Sequence, residues 1–118
     1  MMMRLRVLSG IFALVASASP ALAATCGGAP SGWKTSRPHG QVINTLAIDD
    51  AKPATWNGSP VTREQVRQYV GLTKELNPVP TLLLVVSPAA DCAEVRTFRQ
   101  MIDTTLDCKA GQCVEVGP

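Results

Sequence analysis

The sequence predicts an α+β domain: a two-layer sandwich in which two helices cover one face of a mixed sheet, in the order β-β-α-β-α-β. Three observations carry this. An Asn57-Gly58 turn leads into a fully equipped helix start and then an unbroken apolar run at 81–86. Residues 41–49 alternate as a strand does, and residues 91–106 repeat apolar side chains at helical spacing before a short Val-Glu-Val ending.

The first residues set the compartment. Arg4 and Arg6 form a positive start, 7–18 an apolar core, and Ala21-Leu22-Ala23 a small-residue cleavage site, so 1–23 reads as a cleaved signal peptide. An uncleaved anchor is the rival reading, but the apolar run falls short of the ~20 residues a span needs, and Pro20 sits near its end. Thr25 before Cys26 does not suit a lipoprotein signal. The expectation is an exported, periplasmic chain with no membrane span after cleavage.

Loss of Arg4 and Arg6 with the leader leaves nine basic against nine acidic residues. A balanced charge argues against a nucleic-acid partner, which would demand a basic excess. The remaining 95 residues (118 less the 23 of the leader) make one domain, small enough to need help beyond its core.

Four cysteines survive cleavage: Cys26, Cys92, Cys108 and Cys113. An even count in a small exported domain reads as two disulfides. Cys92 and Cys108 bracket a helix about 20 Å long, whereas bonded cysteines need α-carbons within roughly 7 Å. A right-handed strand-helix-strand crossover puts Cys113 at the far end of the domain from Cys92. Cys26–Cys92 with Cys108–Cys113 is therefore expected. The spacings resemble no zinc site, and no C-x-x-C supports a redox centre, although Cys92 at a helix N-terminus would favour a thiolate.

Residues 24–40 are rich in Gly, Pro and Ser without periodicity and read as an N-terminal arm held by Cys26. Trp33 in this arm is a candidate binding residue, with the cover of a core edge as its structural reading; His39 reads as a solvated turn residue. Residues 41–49 form the first strand. Asp49-Asp50-Ala51-Lys52-Pro53 turns it, and 54–56 returns. The paired acids serve the turn, there being no third ligand for a cation.

Thr62 caps the first helix and Gln65 completes a capping box, with Val61 and Val66 as a hydrophobic staple. The helix is expected to run to about Leu76, with Val66, Tyr69, Val70, Thr73 and Leu76 on its buried face, until Asn77-Pro78 stops it. The apolar run at 81–86 is a central or doubly covered strand. Asp91 starts the second helix, whose core stripe is Val95, Phe98, Ile102 and Leu106. Arg96 and Arg99 lie off that stripe as a solvated face, with an anion or glycan carboxylate as the functional alternative.

The order of parts resembles the periplasmic domain of the ExbD/TolR family of biopolymer-transport proteins. The matching pieces are the strand and aspartate turn at 42–49, Trp56-Asn57-Gly58, the helix at 61–76 and the strand at 82–86, and the resemblance spans 42–116. The chain departs from that family in having Val86-Ser87-Pro88 where a charged residue and an aspartate often close the third strand. It also offers no counterpart to the family's membrane helix with its proton-carrying aspartate. The resemblance implies a domain at 41–118 that engages an envelope protein or peptidoglycan and tends to form a homodimer. No nucleophile-base pair, acid dyad or phosphate loop stands out, and one histidine is thin material for catalysis. The reading is a non-enzymatic periplasmic binding or accessory module needing no cofactor, with Trp33, Trp56, Arg96 and Arg99 as candidate contact residues. Trp56, at the hairpin tip, is read first as structural, because aromatics suit a half-buried strand surface. A small secreted thiol-disulfide or hydrolytic enzyme is the alternative.

Overall fold

The computed structural model describes residues 25–50 and 52–118. The leader at 1–23 lies outside the described residues. The elements are β1 (Ile43–Ile48), β2 (Thr55–Trp56), β3 (Ser59–Pro60), α1 (Arg63–Thr73), β4 (Thr81–Val86), α2 (Cys92–Thr105) and β5 (Cys113–Val116). They form one five-stranded mixed sheet in the order β3-β2-β1-β4-β5. The expected order lacks one piece. The Asn57-Gly58 turn has its own return strand, β3, which is two exposed residues long and so leaves no alternating pattern to read. Pro60 suits that position, since an edge strand tolerates the missing amide.

β1, β4 and β5 are parallel neighbours. The crossovers through α1 and α2 step the same way across the sheet, and crossovers of one hand then place both helices on one face, where they pack on each other. Register partners share a face, so Trp56, Leu46, Leu84 and Glu115 form one row across the sheet on the helix side. Leu46, Ile48, Leu82, Leu84 and Val86 meet Val66 and Val70 of α1 and Val95, Phe98 and Ile102 of α2 to make the core.

The helix starts follow the sequence. Thr62 Oγ1 accepts from the Gln65 amide at 3.1 Å, and Gln65 Oε1 accepts from the Thr62 amide at 2.8 Å. Val61 and Val66 are both packed against the core. Thr62→Ala should therefore cost about 1 kcal/mol, read as a lower urea midpoint with an unchanged slope. The expected helix end is corrected. α1 stops at Thr73, and Glu75 and Leu76 donate to Leu72 and Thr73 in tighter three-residue turns. That tightening carries Leu76 off the buried stripe and leaves it 53% exposed.

The arm at 24–40 is more than a tether. Lys34 bridges in parallel to Val114, its amide donating to Cys113 and its carbonyl accepting from Glu115. This closes the outer edge of β5 that would otherwise invite pairing with another chain. Both expected disulfides are present, Cys26–Cys92 and Cys108–Cys113. Among the described residues, no helix is long and apolar enough to cross a membrane.

Candidate functional site

The surface that gathers exposed apolar side chains is the junction of the hairpin with α1. Asn57 builds it. In the left-handed region at φ 49°, followed by Gly58 at 87°, Asn57 closes the two-residue turn between β2 and β3. Its side chain then docks on β1: Oδ1 accepts from the Thr45 amide at 2.8 Å, and Nδ2 donates to Asn44 Oδ1 at 3.1 Å. Its own amide donates to the Thr45 carbonyl at 2.8 Å. One side chain thus replaces a missing strand partner and fixes where Trp56 stands.

Trp56 is half-buried, packed against the core and against Tyr69, with ring centroids 5.3 Å apart and planes tilted by 56°. Tyr69, expected on the buried face of the helix, is also only half-buried. A groove of about 430 Å³ is lined here by Asn44, Trp56, Tyr69, Leu72, Glu75 and Leu76. Leu72 is 65% exposed and Leu76 53%. The arrangement can do one thing chemically. It offers apolar ring and methyl surface, edged by an amide and a carboxylate, to a ligand with both apolar and hydrogen-bonding faces.

The other candidate residues lie elsewhere. Trp33 is buried at 7% exposure as the cover of the core edge, and its indole Nε1 donates to Asp103 Oδ1 at 2.9 Å. It presents no contact surface. Arg96 is exposed on α2. Arg99 is not on a solvated face, and that expectation is corrected. It is 6% exposed and grips Glu115 with two bonds, Nε to Oε1 at 2.6 Å and Nη2 to Oε2 at 2.8 Å. Its Nη1 and Nη2 also donate to the carbonyls of Cys26 and Thr25 at 2.7 and 3.0 Å. The cause is Glu115, which strand alternation puts on the core face of β5 and which must be paired there. Two helical turns separate Cys92 from Arg99, so α2 holds the arm by a covalent bond and by this guanidinium.

Asp49 keeps its turn role. The Asp50 amide, the Ser87 hydroxyl and Lys52 hold its carboxyl below the usual carboxylate range. Its stabilising share is present above the ordinary pKa of 3.8 and is lost as pH falls through the lowered value. His39 is exposed in the arm. Among the described residues, no three His, Cys, Asp or Glu side chains gather as a metal site. Comparison with family models, with curated proteins and with solved structures found no match to the chain.

Proposed function

We propose that the chain is a non-enzymatic envelope module of the ExbD/TolR periplasmic type, exported by its leader, and that it contacts peptidoglycan through the Trp56–Tyr69 groove. The observation that carries this reading is the groove itself. Two aromatic rings and two exposed leucines stand together at the one place where Trp-Asn-Gly meets the first helix. Sugar rings have apolar faces that stack on aromatics and hydroxyls that take amides and carboxylates, here Asn44 and Glu75. Two disulfides suit an oxidising compartment. Both cysteine pairs are closed and 66 and 5 residues apart in sequence, which favours binding over the thiol-disulfide enzyme.

Leu72→Asp/Leu76→Asp tests the groove without touching the core. The variant should melt close to the parent, since exposed substitutions stay within about 0.5 kcal/mol, yet lose co-sedimentation with purified peptidoglycan. Equal sedimentation of variant and parent would remove the groove from the account.

A further inference from the structure

We propose that the Cys26–Cys92 bond is a reducible latch on the N-terminal arm, opened by a dithiol reductant while Cys108–Cys113 stays closed. The two disulfides are placed in opposite ways. Cys108 and Cys113 are 4% and 0% exposed, beneath the turn that leads into β5. Cys92 is exposed at the first residue of α2, and Cys26 is half-buried in a three-residue 3-10 turn. Thiol-disulfide exchange requires in-line access to a sulfur, so the pairs differ first in reach.

The chemistry at the open pair is a two-step exchange. A thiolate of the reductant attacks Cys26 Sγ, forming a mixed disulfide and displacing Cys92 as thiolate. The free amides of the first turn of α2 stabilise that leaving group, with the Asp91 cap opposing them in part. The reductant's second thiolate then attacks the mixed disulfide. Cys26 leaves as a thiolate, both cysteines take up protons, and the reductant ends as the disulfide. Two electrons pass from the dithiol to the cysteine pair.

What opens is the arm. Cys26 holds a left-handed conformation, φ 53° and ψ 38°, that a residue with a side chain seldom keeps unless its surroundings enforce it. Once the bond is broken, residues 25–32 keep the Arg99 bonds to the Thr25 and Cys26 carbonyls and the packing of Cys26 and Ala29 against the core, but no covalent tie. Trp33, buried and bonded to Asp103, and the Lys34 bridge remain as a second anchor. The opened state is a folded domain with residues 25–32 lifted from α2.

The test uses the oxidised protein with dithiothreitol as the probe. Aliquots are quenched with N-ethylmaleimide and mapped by mass, and hydrogen exchange and near-ultraviolet circular dichroism are followed in parallel. Cys26 and Cys92 should be alkylated at least tenfold faster than Cys108 and Cys113. Exchange should rise over residues 25–32 while β5, α2 and the Trp33–Lys34 segment keep their protection and the near-ultraviolet signal survives. Cys26→Ser/Cys92→Ser should reproduce that exchange pattern without reductant. Equal alkylation of both pairs, or unchanged exchange at 25–32, would overturn the latch. So would loss of the near-ultraviolet signal on opening, or a serine variant that does not fold, since either makes the bond a staple of the whole domain.

Discussion

Glu115→Ala should destabilise the domain by about 3–5 kcal/mol, because it leaves the Arg99 guanidinium buried without its counter-charge. For a domain of this size each kcal/mol moves the melting temperature by roughly 4–8 °C, so the loss is plain in a thermal scan. Both side chains are 8% exposed, and Arg99 gives two of its three other N–H donors to the arm carbonyls. Replacing both charges by apolar groups, as in Arg99→Met/Glu115→Leu, should recover much of the loss, since a buried ion pair often exchanges for packed apolar side chains at little cost. Recovery should be incomplete, because methionine donates nothing to Thr25 and Cys26. A single Glu115→Ala within 1 kcal/mol of the parent would show that water reaches Arg99.

Cys92→Ala should lower stability more than Cys113→Ala, while leaving the domain folded. Loop-closure entropy makes a bridge across 66 residues worth about 4 kcal/mol and one across 5 residues about 2 kcal/mol. Urea midpoints of the two variants, measured side by side, check the order. The reverse order would mean that the small Cys108–Cys113 loop, buried beside β5, carries packing that the entropy argument leaves out.

What the sequence shows well is what short-range physics decides. The Asn57-Gly58 turn, the Thr62–Gln65 capping box and the stripe Val95, Phe98, Ile102 and Leu106 depend on neighbours within a few residues. The disulfide pairing was legible too, since helix length and crossover hand leave little choice of ends. Three features depend on partners far along the chain. Arg99 looks like any surface cation until β5 is placed, because Val-Glu-Val alternation read alone turns the valines inward and Glu115 to solvent, whereas register with Leu84 puts Glu115 on the helix face. Trp33 finds Asp103 seventy residues away, and Lys34 finds β5 by a single bridge with no periodicity to announce it. Leu76 fits the helical stripe by spacing, but tight turns ahead of Asn77-Pro78 end that helix three residues early. The groove is half legible: Trp56 stands out beside the Asn-Gly turn, while Leu72 lies off the helical stripe and carries no signal of its own.

A contact role for the hairpin–helix groove, beyond a part in the fold, is open to direct test. Trp56→Ala measured twice, by melting temperature and by co-sedimentation with purified peptidoglycan, bears on it most directly when run beside Leu72→Asp/Leu76→Asp. Trp56 is half-buried against Tyr69, so its loss should cost stability of about 1–3 kcal/mol, and it should also abolish sedimentation. The leucine variant should abolish sedimentation with its melting temperature kept. A parent protein that does not sediment with peptidoglycan, or leucine and tryptophan variants that sediment as the parent does, would rule out the groove as a peptidoglycan contact.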